Sequence, residues 1–356
     1  MASSNDTKQI DLALQGGGSH GALTWGVLDR LLEDERLEIE AISGTSAGAM
    51  NGVVMADGIT RHGRDGARQA LHDFWSAISD AARFSPIQRG FWDRLMGSDS
   101  LDLSPSYIFF EHLTQLVSPA VLNPLDINPL RTLIQRTIDF DQVNACKIVK
   151  VFVTATNVRT GRARVFRQPH ICCETLMASA CLPHVFPAVE IDGESYWDGG
   201  YSGNPALYPL VDDCAAQDLV VVQINPLMRQ TLPDTARDII NRINEITFNT
   251  SLIKELRSIQ LLQQLIKAEG VEAEQYRAMR LHLIHGAEDV ESLSASSKMN
   301  AEWSFLKKMR DQGREWAQRW LDEHFDALGK RSTFALDSMF ADSFRPHRRL
   351  DAPSGD

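Results

Sequence analysis

The chain has 356 residues, 43% hydrophobic and 23% charged, which suits one large or two ordinary globular domains and excludes a disordered or fibrous protein. With 36 Lys and Arg against 47 Asp and Glu, the formal net charge is −11, a poor match for nucleic acid or for electrostatic capture by an anionic bilayer. The polar start MASSNDTKQ lacks the basic and apolar regions of a signal peptide, and no apolar run approaches the ~20 residues of a membrane span.

Residues 10–15 (IDLALQ) read as a short buried strand that breaks into Gly16-Gly17-Gly18-Ser19-His20-Gly21. Residues 21–34 follow as a helix, with Leu23, Val27, Leu28, Leu31 and Leu32 on one face. Residues 39–43 (IEAIS) predict a second strand, and 46–57 a second helix rich in small residues. Strand, helix, strand, helix in close succession points to parallel βαβ units and an α/β fold.

Residues 83–110 are aromatic and turn-rich, without one clean period. They read either as irregular core packing or as a lid over an apolar site, with Phe91 and Trp92 at its entrance. Further strands are expected at 148–155, 219–225 and 280–285, with a hairpin turning at Asp192–Gly193. Two long helical patterns follow, at 236–268 and 298–328. The first carries Ile239, Ile243, Ile246, Ile253 and Leu256, with a bend suggested near Asn249–Ser251; the second carries Trp303, Leu306, Trp316, Trp320 and Phe325. Such stripes usually face a core. The expected organisation is a core over 10–212, a part over 213–330 that completes the sheet and adds long helices, and a loose tail over 331–356. Cys146, Cys172, Cys173, Cys181 and Cys214 show no C-x-x-C spacing and read as reduced thiols of a cytoplasmic protein.

The second strand runs into GTSAG, Gly44 to Gly48, which matches G-x-S-x-G with Ser46 on a strand-to-helix turn. Gly44 and Gly48 leave room for a strained turn packed against neighbouring strands, and the helix start adds positive dipole beside Ser46. The Gly16–Gly21 loop also fits a dinucleotide fingerprint, which calls for an acidic residue at the end of the second strand. Glu38 and Glu40 lie at that strand's beginning instead, so the loop reads as an oxyanion cradle made by Gly16, Gly17, Gly18, Ser19, His20 and Gly21. The serine needs a base. His170 and His184 flank an apolar segment and could complete a triad, but a lone His there is more often structural. Asp198 in YWDGGYSGNP is the better candidate: Tyr196 and Trp197 would partly desolvate it, and Gly199–Gly200 would let the chain turn around it.

GGGSHG (16–21), GTSAG (44–48), ASACLP (178–183) and DGG (198–200), in that order, resemble the patatin-like phospholipases, lipid acyl hydrolases with a Ser–Asp dyad. The resemblance implies a three-layer α/β/α sandwich with a mostly parallel sheet. It also implies a Ser46–Asp198 dyad acting through an acyl-enzyme, with no metal, no cofactor and no catalytic histidine. The substrate it implies is a lipid or other acyl ester, with peripheral contact at lipid surfaces. The family's loop commonly carries Lys or Arg where His20 stands, and a largely neutral imidazole weakens the case for a phosphate-bearing substrate. Three alternatives stay open: a Ser-His-Asp esterase, an acyltransferase or thioesterase using the same dyad, and a non-catalytic nucleotide-binding or adaptor protein.

Overall fold

The computed structural model describes residues 7–340, except 84, 86, 125, 230–231, 270–277, 287–288 and 291–292. Its strands are β1 (Lys8–Leu14), β2 (Leu37–Thr45), β3 (Lys150–Asn157), β4 (Ala163–Arg167), β5 (Val189–Ile191), β6 (Glu194–Asp198), β7 (Asp218–Val222) and β8 (Arg280–Ile284). They form one sheet in the order β5-β6-β3-β2-β1-β7-β8, with β4 paired to β3. The β3-β2-β1-β7-β8 run is parallel, whereas the pairs involving β4, β5 and β6 are antiparallel. Strands buried on both faces read as continuous apolar runs, which is why β1, β3, β7 and β8 were legible locally. The expected hairpin joins β5 to β6, with Asp192 at φ 53° and Gly193 at φ 78°.

Helices α1 (Gly21–Glu33) and α2 (Ala47–Ala82) follow the first two strands. The chain then forms α3 (Phe91–Leu95), α4 (Pro105–Leu116), α5 (Pro119–Leu122), α6 (Pro129–Thr137) and α7 (Phe140–Ala145) before β3. Next come α8 (Cys173–Ser179), α9 (Tyr208–Asp213) and α10 (Ala236–Glu269), and helices Trp303–His324 and Leu336–Met339 come last among the described residues. The sheet divides the core in two. Ile10, Leu12 and Leu14 of β1 join Trp25 and Leu28 of α1, Val53 of α2, Leu176 of α8 and Trp316 on one face. Ala13, Ala41, Phe152, Leu219 and Val221 meet Leu210 of α9 and Leu252 and Leu256 of α10 on the other. The result is a three-layer α/β/α arrangement.

Two helices differ from the sequence reading. Helix α2 extends to Ala82 rather than 57, because it kinks at His62–Gly63 and continues with Ala67, Leu71, Phe74 and Trp75 buried. Helix α10 runs through the polar Asn249-Thr250-Ser251 triplet without breaking; Asn249 is buried and spends its amide on Gln15 and on the Pro226 carbonyl. Of the expected stripe on α10 only Leu256 joins the core. Ile239, Ile243 and Ile246 are 43%, 57% and 51% exposed and belong to neither core cluster, since periodicity marks an apolar face without saying what covers it.

Strands β7 and β8 extend the sheet beyond β1. Where the sequence suggests a loose tail, residues 331–340 dock: Thr333 and Phe334 donate to the Leu281 carbonyl, and Leu336 is buried. Residues 341–356 lie outside the described residues. Among the described residues no helix is long and apolar enough to cross a membrane, and the five cysteines are free thiols.

Candidate active site

From β1 the chain goes to β2 and β3 on one side and returns later to β7 and β8 on the other. That reversal of strand order opens a crevice at the carboxyl end of β1, the usual place for a site in an open α/β sheet. The glycine loop leaves β1 there, the Ser46 turn leaves β2, and Asn225 follows β7.

Ser46 joins β2 to α2 at φ 53°, ψ −122°, a backbone conformation that costs an L-residue on the order of 1–3 kcal/mol. The flanking glycines permit it. A Cβ on Gly44 would lie 2.6 Å from the Ala49 nitrogen, and one on Gly48 would run into the Leu14 carbonyl oxygen. The Ser46 backbone N–H donates to Ser179 Oγ at 2.8 Å, and the Ser179 hydroxyl donates to the Thr154 carbonyl at 2.6 Å. This gives Ser179, the serine of ASACLP, a physical task, tying the turn to β3. Ser179→Ala leaves a backbone N–H without its partner, so unfolding free energy is expected to fall by about 1–3 kcal/mol. An unchanged midpoint in urea would show that the turn does not depend on this bond.

The glycine loop lies directly on that turn. A Cβ on Gly16 would be 2.8 Å from Ser46 Cβ, and one on Gly21 would be 2.5 Å from Ala47 Cβ. Its N–H groups are not equivalent. Gly16 N–H donates to Asn204 Oδ1 (2.7 Å), His20 N–H to the Gly17 carbonyl, and Gly21 N–H to the Gly18 and Ser19 carbonyls. The N–H groups of Gly17, Gly18 and Ser19 make no hydrogen bond to another described residue. The His20 ring is buried, with Nε2 on Ser297 Oγ at 2.7 Å and Nδ1 unpartnered. Burial, reinforced by Lys298 and Arg229, pushes its pKa down to about 3. His20 therefore carries no charge at neutral pH.

Asp198 ends β6 opposite Ala155. Its N–H donates to the Cys181 carbonyl at 2.8 Å, and its own carbonyl accepts from Thr156 Oγ1 at 2.8 Å. The carboxylate accepts the Gly200 N–H at 2.7 Å and lies within hydrogen-bond reach of the Ser46 hydroxyl. Burial raises its pKa to about 7 against the Gly200 hydrogen bond and the nearby Ser46 hydroxyl, which favour the charged form. Gly199 packs on the Thr154 carbonyl and Gly200 on the Phe248 ring, so neither has room for a side chain. The Tyr201 and Phe248 rings lie 5.0 Å apart beside this turn. Tyr196 turns into the core against Phe166. His170 and His184 are exposed, and neither bonds to Ser46 or Asp198 among the described residues.

Sequence reasoning missed the polar residues that brace the loop. Gln15 takes hydrogen bonds from Ile224 N–H and Asn225 N–H and donates to Asn249. Asn225 Nδ2 donates to the Gly16 carbonyl at 2.7 Å. A signal existed: Gln15 and Asn225 are polar residues placed just beyond the carboxyl ends of apolar strands. Nothing local marks Phe248 or Asn249.

The 83–110 segment borders a cavity of about 420 Å³ lined by Ile87, Arg89, Arg94, Leu101, Met299 and Trp303, among others. Ser46 and Asp198 are not part of its lining. Leu95, Met96 and Phe109 are exposed. The side chains of Phe91 and Trp92 lie outside the described residues.

Residues 12–211, more than half of the chain, match the family described as Patatin-like phospholipase. No curated protein matches. Among solved structures the chain is similar to VipD from Legionella pneumophila, with 13% identity, 90% of this chain and 67% of that one covered, and a TM-score of 0.39. It is also similar to ExoU from Pseudomonas aeruginosa in its heterodimeric complex with SpcU, with 16% identity, coverage of 90% and 52%, and a TM-score of 0.39. The chain thus spans little more than half the length of ExoU.

Proposed function

The chain belongs to the patatin-like phospholipase family, and from that premise we propose that it hydrolyses acyl esters of lipids through Ser46 and Asp198. The observation that carries the reading is a serine held at φ 53° within reach of a buried carboxylate whose pKa is raised to about 7. A carboxylate near neutrality is a competent general base where an ordinary Asp, near ~3.9, is not.

Asp198 takes the Ser46 proton as Oγ attacks the ester carbonyl. The unengaged N–H groups of Gly17 and Gly18, with Ser19 beside them, receive the tetrahedral oxyanion, where each donor is typically worth ~10²–10³ in rate. The alcohol leaves with the proton held by Asp198, and the acyl group remains on Ser46. Asp198 then draws a proton from water as its oxygen attacks the acyl-enzyme, and returns that proton to Ser46 Oγ as the bond to the acyl group breaks and the fatty acid leaves. Gly16 acts differently: its N–H is held by Asn204, so it fixes the loop.

A fluorophosphonate probe, followed by peptide mapping, tests the nucleophile. The adduct is expected on Ser46, and mass spectrometry of a lipid mixture incubated with wild-type protein is expected to show released fatty acid. Labelling that persists in Ser46→Ala would remove the assignment.

A further inference from the structure

The glycine loop, GGGSHG, contains no lysine or arginine, and its histidine is neutral. A cation nevertheless lies against it. The 3₁₀ turn Ala295–Met299 packs onto the turn Gly18–His20: a Cβ on Gly18 would be 2.5 Å from the Lys298 carbonyl oxygen, and Ser297 holds the His20 ring. From this turn Lys298 sends its ammonium to Asn225 Oδ1 at 2.9 Å. The same Oδ1 would lie 3.7 Å from a Cβ on Gly17, and Asn225 Nδ2 holds the Gly16 carbonyl. The ammonium is thus one hydrogen bond from Asn225, whose amide oxygen faces the space where a Gly17 side chain would stand and whose amide nitrogen holds Gly16.

No carboxylate among the described residues pairs with Lys298. The nearby Glu245 is committed to Arg229, at 2.5 Å, and to Arg242, at 3.1 Å. Burial, with Arg229 adding and Glu245 opposing, holds Lys298 below the ordinary lysine pKa. A cation in such a desolvated place gains most when a negative charge forms nearby.

We propose that Lys298, which lies outside the family-matched residues 12–211, supplies the positive charge of the oxyanion site. Its ammonium stabilises the negative oxygen that develops beside Gly17 and Gly18, and Asn225 sets its distance from them. The inference rests on the hydrolase reading above.

Lys298→Met keeps the length of the side chain and removes the charge. On an uncharged soluble ester such as p-nitrophenyl butyrate, kcat is expected to fall about 10- to 100-fold with KM little changed. The same fall is expected on a phospholipid, and Lys298→Arg is expected to recover most of the activity. The thermal midpoint of Lys298→Met should stay close to that of the wild type, because relief of a half-buried charge offsets the lost hydrogen bond to Asn225. If Lys298→Met does not fold, Lys298→Gln, which keeps a donor for Asn225, carries the same comparison. A loss confined to phospholipid, or to KM, would make Lys298 a headgroup contact and overturn the inference. So would unchanged kcat in Lys298→Met, or equal losses in the Met and Arg variants. A wild type that releases no product and leaves Ser46 unlabelled would overturn the hydrolase reading itself.

Discussion

Ser46→Ala is expected to lower ester turnover on the order of 10⁶-fold, the loss typical of removing a serine nucleophile. The fold should be unharmed. Alanine keeps the Cβ and with it the strain of φ 53°, so its melting temperature should stay near that of the wild type. Ser46→Gly removes the hydroxyl and the strain together, and is expected to stabilise the protein by about 1 kcal/mol. Parallel melts and initial rates of the three proteins check both effects. Turnover that survives in both variants would show that another group attacks the ester, and a Gly variant less stable than the Ala variant would show that the turn stores no strain.

The second large effect belongs to Asp198. Asp198→Asn keeps the size and the oxygen that accepts the Gly200 N–H, but it cannot take a proton from Ser46. Turnover is expected to fall at least ~10²–10⁴-fold. Stability should move the other way. The folded-state pKa, about 7, lies above the ordinary aspartate value of 3.8, because burial penalises the ionised form. The stability contribution of protonated Asp198 is fully present below pH 3.8 and is lost as pH rises towards 7, a difference on the order of 4 kcal/mol. Asp198→Asn should therefore melt progressively higher than the wild type between pH 4 and pH 8. An advantage that is flat with pH would mean that the carboxylate is not desolvated.

The same shift is expected to place the acidic limb of kcat/KM near pH 7, because the carboxylate is buried more completely than the partial desolvation by Tyr196 and Trp197 read from the sequence. A limb there overlaps the imidazole range, so the pH profile does not separate a carboxylate from a histidine. Mutation does. His170→Ala and His184→Ala alter exposed side chains and are expected to leave turnover within a few-fold of the wild type. A folded but inactive His184→Ala protein would restore the triad.

Much of this protein is written in short stretches of its sequence. The βαβ start, the GTSAG turn, the glycine loop and the Asp192–Gly193 hairpin are decided by steric rules acting over a few residues: which positions tolerate positive φ, and which runs are apolar enough to be buried on both sides. Other features needed the tertiary structure. That Gly16 is engaged while Gly17 and Gly18 are free depends on Asn204, 188 residues away. The pKa of Asp198 depends on burial that develops only after β6 pairs with β3 and Phe248 of α10 packs on Gly200. The neutrality of His20, held by Ser297 at a separation of 277 residues, and the cation next to it depend on β7 lying beside β1, because that pairing brings Asn225 to the loop. Local periodicity encodes which face of an element is apolar. Which polar group meets another across the crevice is settled by sheet order, and so is whether an apolar face such as that of Ile239, Ile243 and Ile246 finds a cover.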